Sequence, residues 1–244
     1  MFKFFLILII FYSLPNANAI TETRKKLKIA TENYPPYEML EPVDGLKGFD
    51  YEVTQEIFNL LNYETDIQFL PWKRALSYTK LGSVVGILTC AYRKEREDFM
   101  IFSDPISDFV NGFYVRKGFK GPEPVLLEDV RGQSVGSIVA YESTKALQDI
   151  GIKPVEALDS FMAVKMLSVE RFDYLYVNQQ SADFTIKKLG LSNKFDFYPI
   201  SKQQFFFCFS KQYEGIEKIV DEFNNALSIL KANGTYNKIH NKYQ

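Results

Sequence analysis

Residues 27–90 alternate between two hydrophobic periods. Leu27-Lys28-Ile29-Ala30-Thr31 repeats every second residue, as a half-buried strand does, whereas Val53, Ile57, Leu60 and Leu61 fall on one helical face. Residues 65–70 read as a second strand, and Pro71-Trp72 opens another helix, proline being tolerated in a first turn. Gly86-Ile87-Leu88-Thr89-Cys90 is then a short apolar run of the buried-strand kind. Strand, helix, strand, helix, strand implies right-handed crossovers and a parallel sheet, which places the chain among α/β folds.

The third strand runs into a loop, Ala91-Tyr92-Arg93-Lys94-Glu95-Arg96-Glu97-Asp98, that closes with Phe102-Ser103-Asp104-Pro105. A strand that delivers a guanidinium into a loop makes an anion-receiving site, because the planar fork matches a carboxylate and stays charged. A solvated loop whose charges pair with one another accounts for the same residues without any ligand.

Length and composition bound the rest. At 244 residues with 46% apolar content the chain builds one large domain or two small ones. The 29 basic and 30 acidic residues nearly cancel, and no basic stripe argues for nucleic acid or an anionic membrane surface. Met1-Phe2-Lys3, an apolar run at residues 4–14 and Ala17-Asn18-Ala19 have the pattern of a secretory signal peptide over residues 1–19, cleaved after Ala19. An uncleaved anchor is the competing reading, disfavoured by so short a run. Cys90 and Cys208 either pair, as an exported protein permits, or stay as two buried thiols. His240 is the single histidine, so no His/Cys cluster suggests zinc, and no cofactor motif is present.

The succession of strand, hydroxyl-bearing segment, charged spacer, Arg96 and, six residues on, Phe102-Ser103 resembles the ligand-carboxylate loop of the periplasmic solute-binding proteins of bacterial extracellular family 3. These are receptor subunits of polar amino-acid import systems. The likeness extends over nearly the whole mature chain: Gly48-Phe49-Asp50, with Asp50 as a helix cap, looks like the first βα unit, and the helical spacing of Ile216, Ile219, Val220, Phe223, Leu227 and Leu230 resembles the closing helix.

What the resemblance implies is an α/β, two-lobed, periplasmic-binding-protein-like (type II) fold, each lobe a twisted, mostly parallel sheet flanked by helices. Lobe 1 would comprise residues 20–108 and 205–244, lobe 2 residues 109–204, with hinge strands near residues 107–112 and 201–206. A small anionic or zwitterionic solute would be captured in the gap by hinge closure. Arg96 would hold its carboxylate and Thr89 would add a hydroxyl. Tyr34, Tyr37 and Trp72 would offer aromatic faces; Tyr141, Ser143 and Asn178 would contribute from lobe 2. No catalytic residue, metal, cofactor or nucleic acid is implied, and the partner of a monomeric periplasmic receptor would be an inner-membrane ABC permease. A membrane sensor as partner, or an enzyme related to cyclohexadienyl dehydratases, are the alternatives.

Five positions depart from the family's pattern. Ala140 stands where a glycine is usual, and Tyr141 and Glu142 occupy hydroxyl positions at the start of a helix whose cap would be Ser143. Glu142, if turned inward, would oppose an anionic ligand. Asn178 replaces an aspartate that receives an α-ammonium group, a loss worth roughly 1.5–3 kcal/mol. Arg93 replaces a threonine; it either faces the gap or turns outward to pair with Glu97 or Asp98.

Overall fold

The computed structural model describes residues 24–243, so the leader assigned to residues 1–19 lies outside the described residues. The first five elements follow the order read from the sequence: β1 (Lys26–Thr31), α1 (Phe49–Leu60), β2 (Glu64–Phe69), α2 (Trp72–Lys80) and β3 (Gly86–Ala91). β1 lies parallel to both β2 and β3, which is the parallel sheet that crossover helices require. Next comes β4 (Met100–Arg116), 17 residues long. Pro105 lacks an N–H to give to a ladder, and β4 accommodates it where its pairing register slips on either side.

The remainder is β5 (Val135–Ile138), α3 (Glu142–Asp149), β6 (Val155–Ala157), α4 (Ser160–Ser168), β7 (Tyr174–Asn178), α5 (Gln179–Lys188), β8 (Phe195–Ser210), α6 (Ile216–Ala232) and α7 (Thr235–His240). Strand order is β2-β1-β3-β8-β4-β7-β5-β6. The two long strands, β4 and β8, run antiparallel at the centre and belong to both halves of the sheet. β3 borders β8 on one side, and β7 borders β4 on the other. The segments expected to be hinges pair with each other inside these strands, Ser107 opposite Phe205 and Asn111 opposite Ser201.

Each half has its own core on both sheet faces. In the first, α1 and α6 bury Val53, Ile57, Phe58, Phe223 and Leu227 against Leu27, Ile29 and Phe207, while α2 lays Trp72 and Ala75 over Ile87 and Cys208 on the other face. In the second, α4 and α5 pack Val164, Leu167 and Ala182 against Leu175, and Phe113, Val135, Leu147 and Tyr176 fill the far side. All six apolar positions read on the last long helix are buried.

The cap expected at Asp50 belongs to a neighbouring residue. α1 starts at Phe49 with Gly48 as its N-cap, φ 109°, where a Cβ would lie 2.2 Å from the Tyr37 carbonyl oxygen; Asp50 is inside the first turn and fully buried. α4 is capped by Asp159, whose carboxylate accepts the Met162 N–H at 2.7 Å, and Ser160 is its first residue. Cys90 and Cys208 form a disulfide between the adjacent strands β3 and β8, which decides the alternative left open by the sequence.

Candidate functional site

The two halves meet around a cavity of about 40 Å³, room for a few water molecules. It is lined by Tyr34, Trp72, Thr89 and Arg96 from the first half and by Tyr141, Ser143 and Asn178 from the second. Seven of the eight residues singled out in the sequence therefore share one cavity. Tyr37 does not reach it: fully buried, it stacks behind Tyr34 with ring centroids 5.2 Å apart. Tyr34 meets Tyr141 edge-on at 5.6 Å across the gap, and these rings with Phe205 leave the cavity small. Glu32, Trp72 and Tyr141 also border a wider space of about 830 Å³ at the mouth of the gap.

Arg96 ends a short 3₁₀ turn after β3 and is 7% exposed. Its Nη1 donates to the Ala91 carbonyl at 2.6 Å, and its guanidinium carbon lies 5.4 Å over the Trp72 ring. Burial, reinforced by nearby Arg93, pulls its pKa down to about 10, so it remains charged at neutral pH. It forms no ion pair among the described residues. Arg93 pairs at 3.3 Å with Glu95, two residues on, rather than with Glu97 or Asp98; Glu97 instead accepts from the Tyr92 hydroxyl at 2.7 Å.

The Thr89 hydroxyl is taken up by two buried carboxyls, 2.6 Å from Glu38 and 3.0 Å from Asp50. Asn178 caps α5, its Oδ1 accepting the Ser181 N–H at 2.9 Å, while its Nδ2 donates to the Tyr37 hydroxyl at 3.0 Å. Both ends of the amide are thus used within the protein, and the second bond ties the two halves together. Ser143 is not the cap of α3. Tyr141 holds that position without a side-chain bond, and the Ser143 hydroxyl lies 3.0 Å from that of Ser137. Ala140 has φ 65°, the backbone shape for which glycine is the easy residue.

Glu142 opens α3 and faces the cavity, accepting from Asn111 Nδ2 at 3.1 Å. Burial raises its pKa, opposed mainly by Arg93 and then by hydrogen bonds and Arg96. Glu32, also on the lining, is pushed up to about 8 by burial despite the Tyr141 hydroxyl beside it. A fixed, charged guanidinium on this lining suits the anionic end of a small molecule, and the Glu32 and Glu142 carboxyls on the same lining offer hydrogen-bonding partners for its remainder. Among the described residues no group of three or more His, Cys, Asp or Glu is placed to hold a metal ion.

A sequence model of the bacterial extracellular solute-binding proteins, family 3, matches residues 27–244. The chain belongs to that family. Its similarity to the probable amino-acid-binding protein YxeM of Bacillus subtilis (strain 168) is 27% identity over 206 residues, 81% of this chain and 76% of that protein. The L-cystine-binding protein TcyA of the same organism is 27% identical over 222 residues, 89% of this chain and 80% of that protein. Among solved structures, a histidine kinase sensor domain with similarity to periplasmic binding proteins matches with a TM-score of 0.81 at 21% identity, over 90% of this chain and 96% of that one, a likeness of fold.

Within this family-3 frame, sequence reasoning passed over Glu32, Ala91, Phe109, Asn111 and Phe205, which also line the cavity. Phe109 and Phe205 stack at 4.0 Å and close its rear. Their signal was present as aromatic residues in the two expected hinge segments, where they read as strand-formers. Only the pairing of β4 with β8 brings them face to face.

Proposed function

We propose that this chain is the receptor that captures a small carboxylate-bearing solute, an amino acid or a relative of one, between its two lobes for ABC-type import. The observation that carries this reading is Arg96: a buried, charged guanidinium on the inter-lobe cavity, oriented by Ala91 and Trp72, with no carboxylate partner among the described residues. A buried charge is costly unless it is paired, and an incoming carboxylate would pair it. The lobes would divide at residues 108/109 and 204/205, within the paired strands β4 and β8. A solute of amino-acid size does not fit the closed cavity, so it would be admitted by parting Tyr34 from Tyr141 and held by closure, the behaviour of a hinge with differential affinity. The amino-acid-binding and L-cystine-binding relatives support this solute class, and family membership supports export, with residues 1–19 as the leader.

A thermal-shift screen of amino acids, dicarboxylates and short peptides tests the reading, since a ligand selective for the folded state raises the melting temperature. Arg96→Ala is expected to lose at least tenfold in affinity for any acidic hit while folding normally. Equal affinity in the variant would place the site elsewhere, and turnover of a hit would remove the pure-binder reading. The likeness to a histidine kinase sensor domain favours one second reading, in which the same capture informs a membrane sensor instead of a permease.

A further inference from the structure

Behind the cavity floor, side chains from five segments converge: Thr31 of β1, Glu38 of the following loop, Asp50 of α1, Thr89 of β3 and Ser107 of β4. All are buried, Glu38 to 1% and Asp50 to 0% exposure. The Thr89 Oγ1 lies 2.6 Å from Glu38 Oε2 and 3.0 Å from Asp50 Oδ2. Ser107 donates to the same Asp50 oxygen at 2.9 Å, and Thr31 to Glu38 Oε1 at 3.0 Å.

The hydrogens in this cluster can be counted. A hydroxyl owns one proton, so Thr89 donates to one carboxyl only, and its contact with the other requires that carboxyl to bring a proton. Two unprotonated oxygens at 2.6 Å would repel. Thr89 and Ser107 share Asp50 Oδ2 as their acceptor, whereas Thr31 occupies Glu38 Oε1 and leaves Oε2 free to carry a proton, so the geometry favours Glu38 as the donor and a chain from Glu38 to Thr89 to Asp50. The other Asp50 oxygen, Oδ1, is buried with no partner, and neither carboxyl has an ion-pair partner among the described residues. The surrounding charges point the same way. Glu32, Asp108 and Glu142 bear on this cluster or on the tyrosines around it, Tyr34, Tyr37, Tyr141 and Tyr236. Burial first, and Asp50 second, hold Glu38 well above the ordinary carboxyl range.

The middle link of this chain, Thr89, lies close to the anchor of Arg96. Thr89 has φ 53°, an outlying backbone for a β-branched residue, and the β3–β8 register slips between Ile87 and Cys90. Two residues beyond Thr89, the Ala91 carbonyl takes the Arg96 hydrogen bond. We propose that Glu38 is protonated at neutral pH and, as first donor in the chain through Thr89 to Asp50, is the positioning residue that fixes the end of β3 and with it Arg96. The part given to Arg96 rests on the function proposed above; the protonation of Glu38 does not.

The test uses the full chain without solute, so it is independent of whether a carboxylate binds. The ¹³C carboxyl resonance of Glu38 is expected in the protonated range at about pH 7, where an ordinary glutamate is ionised. Glu38→Gln replaces the O–H donor by an N–H donor and is expected to leave the Arg96 side-chain N–H signals, shifted by the Trp72 ring, at their wild-type positions. Thr89→Val, which removes the hydroxyl at constant volume, is expected to move them toward those of an exposed arginine. An ionised Glu38 at that pH, or a Glu38→Gln variant that displaces Arg96 as far as Thr89→Val does, overturns the proposal. Should Thr89→Val fail to fold, the Glu38 resonance and the Glu38→Gln spectrum decide it: an ionised carboxyl or displaced Arg96 signals overturn it, and the opposite pair supports it.

Discussion

Asn178 shows how one side chain is recruited from ligand chemistry to architecture. A neutral amide offers one donor and one acceptor group, and here the acceptor caps α5 while the donor crosses the gap to Tyr37. Asn178→Ala is expected to destabilise the chain by about 2 kcal/mol, roughly 1 for the cap and 1 for the lost hydrogen bond. Urea unfolding measures this, and a loss below half that value would mean that water replaces both bonds. Asp50 makes a second prediction at this scale. Burial, opposed by the Ser107 and Thr89 hydroxyls, pushes it up to about 7. Its folded pKa therefore exceeds its unfolded value near 3.9, so the folded chain holds this proton more tightly. The resulting stabilisation is complete below about pH 4 and fades as pH rises through about 7, and Glu32, pushed up to about 8, acts in the same direction. The melting temperature is expected to be higher at about pH 5 than at about pH 8, and Asp50→Asn should flatten that difference.

At the scale of elements, the β5–α3 junction turns on one strained residue. The backbone there turns through a left-handed residue, and Ala140 adopts φ 65° where a Cβ costs roughly 1–2 kcal/mol. Ala140→Gly is expected to recover about 1 kcal/mol of stability, because the strain relieved exceeds the entropy added to the unfolded chain. A destabilised Ala140→Gly protein would show that packing around the Ala140 methyl outweighs the strain. The long strands teach a different lesson. Residues 100–116 and 195–210 each carry a proline, Pro105 and Pro199, and each contains one of the segments expected to be a hinge. In the structure both run unbroken because local register slips absorb Pro105 and the turn of the ladder near Asn111 and Gly112. Helical periodicity was easier to read than strand extent: a helix closes its hydrogen bonds within itself, whereas a strand's limits depend on its partner.

Across the whole molecule, the disulfide and the shared strands do related work. Cys90 and Cys208 stand 118 residues apart and clamp β3 to β8, with all of residues 109–204 between them in sequence. Closing a loop of that size restricts the unfolded chain by about 4–5 kcal/mol in the entropic account. Reduction, or Cys90→Ala with Cys208→Ala, is expected to lower the melting temperature by at least several degrees. An unchanged melting curve would mean that the first half is already held by its core alone. By itself the sequence determined the α/β order, the apolar faces of the helices, Arg96 as the candidate anion receiver and the family resemblance, because hydrophobic period and short-range spacing are local properties. Tertiary structure alone decided that Tyr37 lies behind the cavity, that Thr89 faces Glu38 and Asp50, that Asn178 is spent on a cap and a cross-gap bond, and that Phe109 meets Phe205. Each of these is a contact between residues far apart in the chain, and which partner a buried polar or aromatic group finds is fixed only when two packed surfaces close on each other.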